Sequence, residues 1–233
     1  MTAPAVDAAR IRWSVDPARL ATELESKRLL VVLHGYGSNA ADLFGLREYL
    51  PADLVIAAVE GLEPTQNGGW AWFPITVNPE TGELQRNSAD VDAAAQSLLT
   101  WLAELDAQLA PALGEFPVSL LGFSQGGAMS LELLRHAPER FDSAVVLAGF
   151  AVPHESAESS ARDAALAAVK PRVFWGRDPQ DPVIAPRMIE FTRKWLPEHT
   201  DLDARLYSHV GHSISLEELD DVNRWLSAGL SSD

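Results

Sequence analysis

The 233-residue chain contains no cysteine, which removes disulfides, thiolate metal sites and cysteine nucleophiles from its chemistry. Long apolar runs are missing too. The longest, Ala144 to Val152, falls far short of the roughly 20 residues that a membrane-spanning helix needs. The opening segment Met1-Thr2-Ala3-Pro4-Ala5-Val6-Asp7 lacks the basic stretch and following apolar stretch of a secretory signal. The chain therefore reads as cytoplasmic, with no stable membrane insertion. Positive charge is scarce as well: 18 Lys and Arg stand against 33 Asp and Glu, a formal net charge of −15. Nucleic acid and anionic lipid surfaces reward clustered Lys and Arg, so neither is an expected partner. The acidity is read as a solvated surface that keeps the protein in solution.

Repeats of fixed period, low-complexity tracts and Gly/Ser linkers are absent, so residues 1–233 are expected to form a single domain. What is present is an ordinary globular composition, 47% hydrophobic and 22% charged, in a chain long enough to bury roughly 70% of its unfolded surface. Short β-rich runs alternate with longer stretches of helical period. This predicts an α/β fold, a mostly parallel central sheet flanked by helices. The expected strands are Ile11 to Val15, Leu29 to Leu33, Leu54 to Ala58, Val118 to Leu121, Ser143 to Leu147, Val173 to Trp175 and Ala204 to Tyr207. Between Asp90 and Leu109, Val91, Ala94, Leu98, Trp101, Leu102, Leu105 and Leu109 recur at helical spacing. Ser215-Leu216-Glu217-Glu218 spells a capping box in front of the apolar positions Leu219, Val222 and Leu226. The stretch Gly61 to Asn87 breaks the pattern, being a long connector rich in Gly, Pro and Asn with Trp70, Trp72 and Phe73 at its middle. Such a connector is either functional or a flap packed by its own aromatics.

The chemistry concentrates at Gly122-Phe123-Ser124-Gln125-Gly126, which follows the run Val118 to Leu121 and opens a stretch of helical period. In a strand–turn–helix setting this G-x-S-x-G pattern lifts a serine hydroxyl out of the sheet on a strained turn, and the flanking glycines let strand and helix approach. The Gln125 amide then points across the same site from a helix N-terminus. His34-Gly35-Tyr36-Gly37 leaves the end of the Leu29 to Leu33 run, where the Tyr36 N–H is the second candidate oxyanion donor. His34 itself, coming directly off a buried strand, is read as a structural residue that orders this loop.

A serine at neutral pH needs a base within hydrogen-bond reach and a third group to orient that base. In this fold the chain order is serine, acid, histidine. Of the later histidines, His136 ends a helix, and His154 and His199 are expected in solvated loops. His212, in Val210-Gly211-His212-Ser213 between the last strand and the capped helix, is the preferred base, with His209 as its rival. The loop after Val173 to Trp175 holds two candidate acids. Asp181, in Asp181-Pro182-Val183-Ile184, is preferred, which leaves Asp178 as a solvated loop acid.

Taken together, His34-Gly35-Tyr36-Gly37, Gly69-Trp70-Ala71-Trp72-Phe73, Gly122 to Gly127, Asp181 to Ile184 and Gly211-His212 resemble the phospholipase/carboxylesterase family of α/β-hydrolases, which includes acyl-protein thioesterases. The loop between Gly176 and Asp181 is longer than is usual there. The resemblance implies a Ser124–Asp181–His212 triad, oxyanion donors at Tyr36 and Gln125, and an acyl site bordered by Trp70, Trp72 and Phe73. It also implies a carboxylesterase or thioesterase acting on a small-molecule ester, with no metal and no cofactor. Only about twenty residues separate Gly149 from the next strand, too few for a cap domain. A second copy of the chain is the macromolecular partner that this reading leaves open. A non-catalytic binding protein on the same scaffold is the competing class, because fold does not dictate function.

Overall fold

The computed structural model describes residues 5–66, 68–77 and 84–230. Its centre is a seven-stranded sheet. The strands are β1 (Arg12–Trp13), β2 (Arg28–Leu33), β3 (Leu54–Val59), β4 (Val118–Phe123), β5 (Ser143–Leu147), β6 (Arg172–Arg177) and β7 (Asp201–Leu206). They lie in the order β1-β3-β2-β4-β5-β6-β7. β1 pairs antiparallel with β3, and every other pairing in the sheet is parallel. Each apolar run picked out above falls in this sheet, although β1 is shorter than Ile11 to Val15, and Tyr207 lies one residue past the end of β7.

The continuous apolar spelling of the central strands follows from their burial on both faces. Along β2, Leu29, Val31 and Leu33 enter one core while Leu30 and Val32 enter the other. β3 alternates in the same way, with Val55, Ala57 and Val59 against Leu54, Ile56 and Ala58. The first core is covered by α1 (Leu20–Leu24), α3 (Ser88–Leu113), α4 (Gln125–His136), α5 (Ala157–Val169) and α6 (Pro186–His199). The second is covered by α2 (Ala40–Phe44) and α7 (Leu216–Leu230). The sheet edge at β7 is blunted by charge: Asp203 and Arg205 pair on it.

α3 starts where Asn87 accepts from the Ala89 N–H, and it buries the whole expected stripe from Val91 to Leu109. α5 fills the interval between β5 and β6, in keeping with the absence of a cap. Within the Gly61 to Asn87 connector, Glu63–Pro64 pairs antiparallel with Trp70–Ala71, and Thr76–Val77 with Leu84–Gln85. Among the described residues no helix is long and apolar enough to cross a membrane.

The capping box of α7 places the Ser215 hydroxyl on the Glu218 N–H and the Ser215 N–H beside the Glu218 carboxyl. Ser215 Oγ accepts from the Glu218 N–H at 3.1 Å, and the Glu218 carboxyl is 1% exposed and packs against Gly176 at the end of β6. A Cβ at Gly176 would lie 2.2 Å from Glu218 Oε1. The close approach of α7 to β6 buries this carboxyl while it stays within reach of the Ser215 N–H.

Burial, partly offset by the Ser215 N–H and reinforced by nearby Asp221, pushes Glu218 up to about 7 from its usual 4.5. Below pH 4.5 the group is protonated in both states. As pH rises from there through about 7 the unfolded chain releases the proton first, so stability is lost across that window. Glu218→Gln is expected to raise stability on the order of 2 kcal/mol at about pH 8.5 and far less at about pH 5. This corresponds to a gain of about 4–8 °C in Tm at the higher pH. Equal gains in thermal melts at both pH values would contradict a titrating buried carboxyl.

Candidate active site

Ser124 sits between β4 and α4 with φ 54° and ψ −114°, a conformation that costs a non-glycine residue of order 1–3 kcal/mol and persists only where the surroundings impose it. The surroundings here are backbone contacts. A Cβ at Gly122 would lie 2.2 Å from Gly126 O, and one at Gly126 would lie 1.9 Å from Leu33 O. Only glycines let α4 seat against the ends of β2 and β4. The Ser124 N–H donates to Leu147 O at 2.8 Å, tying the turn to β5.

The Ser124 hydroxyl lies 2.8 Å from His212 Nε2, and His212 Nδ1 lies 2.7 Å from Asp181 Oδ2. The other Asp181 oxygen accepts the N–H groups of Val183 and Ile184 at 2.8 and 3.1 Å, which fixes the carboxylate behind the ring. The Phe123 ring lies against His212 at 5.0 Å between centroids. In the tautomer that carries its proton on Nδ1, an imidazole held this way donates to the acid and turns the Nε2 lone pair to the serine.

The expected solvated Asp178 is instead 3% exposed. Its Oδ1 accepts the Gln180 N–H, and its Oδ2 accepts those of Val210 and Gly211, all at 2.7 Å. These backbone donors, Gln180 first, hold its carboxyl below the usual range. Asp178 therefore ties the loop of Asp181 to the loop of His212. His209 is exposed, with φ 67°, in the turn that leads away from β7.

His34 is buried, and burial lowers its pKa. Nδ1 lies 2.7 Å from Gly35 O, and Nε2 accepts the Gly61 N–H at 2.9 Å, so the ring is a neutral cross-link between two loops. Among the described residues neither the Tyr36 N–H nor the Gln125 N–H has an acceptor. The Gln125 side chain is fully engaged, accepting the Trp72 N–H and donating to Phe73 O.

A cavity of about 940 Å³ opens over Ser124 and His212. The expectation of an aromatic wall at 70–73 needs correction, because Trp70, Trp72 and Phe73 are not among the residues that line it. Trp72 and Phe73 are each 1% exposed. Trp72 Nε1 donates to His34 O, while the Trp70 N–H donates to Ser38 O and the Trp70 carbonyl accepts the Gly37 N–H, with the Arg10 guanidinium over the Trp70 ring. Hydrogen bonds of Trp72 and Phe73 with Gln125, and of Trp72 with His34, make these two buried residues the floor under the site's loops. The apolar lining comes instead from Ile75, Phe150, Val183, Ile184 and Met188. These positions come from separate segments, and only Val183 and Ile184, beside Asp181, belong to a motif of the sequence.

Two other histidines also differ from expectation. The His154 side chain is 3% exposed and sits against Glu132, and His199 ends α6 stacked on Trp195. Away from the cavity, Asp92, Glu132 and His136 offer ligand atoms within 4.8 Å of one another. Arg162 Nη1 already lies 2.8 Å from Asp92 and 3.0 Å from His136 Nε2, and Arg135 holds Glu132. A cation there would have to displace two guanidinium groups.

Residues 19–230 match the family described as phospholipase/carboxylesterase. The acyl-protein thioesterase 1 of Kluyveromyces lactis is 27% identical, over 93% of this chain and 98% of its own. A protein of Oryza sativa subsp. japonica named a "probable inactive carboxylesterase" is 28% identical, over 85% of this chain and 83% of its own. The Bacillus cereus carboxylesterase superposes with a TM-score of 0.74 at 18% identity, covering 94% of this chain and 93% of that one. This last likeness concerns the fold.

The tie between the two loops has a measurable consequence. Asp178→Asn keeps the shape but turns an NH2 toward the Val210 and Gly211 N–H groups. Displacement of His212 by a fraction of an ångström is expected to lower kcat on a p-nitrophenyl ester by about 10- to 100-fold with KM little changed. Wild-type kcat in a folded variant would show that the tie does not position the imidazole.

Proposed function

The chain belongs to the phospholipase/carboxylesterase family, and from that premise we propose that it is a serine hydrolase cleaving small to medium acyl esters, thioesters or lysophospholipids through an acyl-enzyme. The single observation that supports this most strongly is the unbroken hydrogen-bonded line from Asp181 through His212 to Ser124. A related chain named inactive makes that line, and not family membership, the argument for activity.

In this reading His212 Nε2 takes the Ser124 proton as Oγ attacks the acyl carbonyl. The developing oxyanion is met by the free N–H groups of Tyr36 and Gln125, the latter at the N-terminus of α4, where the helix dipole adds to the donor. The imidazolium, stabilised by Asp181, then protonates the leaving alcohol or thiol. Water enters by the same base-assisted path and releases the acid. Tying up the Gln125 side chain on Trp72 and Phe73 keeps it from occupying the place of the oxyanion. The apolar lining from Ile75, Phe150 and Met188 receives the acyl chain.

Labelling with a fluorophosphonate probe tests the nucleophile directly. Wild type is expected to label and Ser124→Ala is not, with kcat for p-nitrophenyl butyrate falling by about 10⁴ to 10⁶ in Ser124→Ala and His212→Ala and by about 10² to 10⁴ in Asp181→Asn. A folded Ser124→Ala that retains turnover would remove the proposal.

The acyl site has its own test. Each buried CH₂ contributes about 0.8 kcal/mol, so contact with two or three methylenes favours butyrate or octanoate over acetate by roughly tenfold or more in kcat/KM. Ile75→Ala is expected to flatten that series. Trp72→Ala, which removes part of the floor, should cost stability and turnover on all chain lengths alike. The reverse assignment of the two effects would return the aromatic segment to the acyl wall.

A further inference from the structure

The cavity over Ser124 carries two guanidinium groups, those of Arg86 and Arg187, in a chain with 18 basic and 33 acidic residues. Arg86 immediately precedes Asn87, the N-cap of α3, and Arg187 is the second residue of α6. The Arg86 guanidinium lies over the Phe150 ring with Cζ 4.5 Å from the centroid. Among the described residues no carboxylate and no hydrogen-bond acceptor meets it. Burial lowers its pKa, and the charge of Arg187 lowers it further. Asp42 is the acid on the cavity lining, and it is engaged by the Ser38 hydroxyl.

A cation held in a partly desolvated cavity beside a like charge is costly unless something negative completes it. The Phe150 face orients the guanidinium and leaves its N–H edge available for a two-pronged contact with a planar or tetrahedral anion. The net acidity of the chain makes the arrangement more selective, because an anion repelled by acidic surface is met at the cavity by the Arg86 guanidinium.

We propose that Arg86 binds an anionic group of the substrate, so that the preferred ester carries a carboxylate or phosphate at a distance from the scissile carbonyl. This rests on the esterase reading above and adds a substrate class to it. The contact is made equally in the ground state and the transition state, so it acts on KM more than on kcat.

The test compares mono-p-nitrophenyl adipate with p-nitrophenyl hexanoate, which have acyl chains of the same length and differ in a terminal carboxylate. Wild type is expected to favour the adipate by roughly tenfold or more in kcat/KM, mainly through KM, with the preference shrinking as salt is added. In Arg86→Met the ratio should fall to about one, and Arg86→Lys should keep part of it. Inhibition of hexanoate hydrolysis by heptanoate and by hexyl phosphate separates the two anions: the one that binds wild type more tightly and loses that advantage in Arg86→Met identifies the group. If p-nitrophenyl hexanoate is not hydrolysed, the esterase reading has failed. If it is hydrolysed, but the adipate is no better and Arg86→Met weakens neither competitor, the anion site is overturned.

Discussion

The distance between the first turn of α4 and the ends of β2 and β4 governs everything else at the site. Backbone meets backbone there with no room for a Cβ at Gly122 or Gly126, and the strain of Ser124 is the consequence of that contact. Because Gly126 rests on Leu33 O, the His34 loop and the serine turn share one anchor, and the Tyr36 and Gln125 amides are held relative to each other by the sheet itself. A small outward shift of α4 would relax Ser124 and separate the two amides in the same movement. Core packing on the helix, buried on nearly every side, opposes that shift.

The parallel strands were legible because burial on both faces leaves a mark in the residue order, and β2 and β3 carry it without interruption. Ser124, Asp181 and His212 were legible because each sits in a turn whose neighbours are dictated by geometry: glycines beside the serine, Pro182 after the acid, Gly211 before the histidine. Asp178 was misread for the opposite reason. Its role depends on amides 32 and 33 residues further along the chain, and nothing in the local spelling separates a carboxylate that collects such donors from one facing water. Trp70, Trp72 and Phe73 were expected to border the acyl site because they stand together in a Gly-rich connector, whereas hydrogen bonds to His34 and Gln125 turn Trp72 and Phe73 into the core. The apolar part of the cavity lining carried no signal at Ile75, Phe150 and Met188, since these residues meet only after folding.

The distribution of charge also separates the surface from the site. Acidic residues outnumber basic ones in the composition, yet the described residues of the cavity lining include Arg86 and Arg187 beside Asp42, whose carboxylate is engaged by Ser38. Selectivity of this kind comes from contrast, with a repelling exterior around a small attracting interior. The long acid loop fits the same economy of space. Asp178 lies within it, so the loop between Gly176 and Asp181 carries the carboxylate that reaches across to the histidine loop.

That crossing changes how the protein comes apart. The amides of Gln180, Val210 and Gly211 all end on one carboxylate, so the acid loop and the base loop cannot fray independently. They form one cooperative unit spanning β6, β7 and the start of α7, and a local opening that releases either loop releases both. Partial unfolding at this side of the sheet therefore leaves no half-assembled site in which a bare imidazole or a loosely held serine persists.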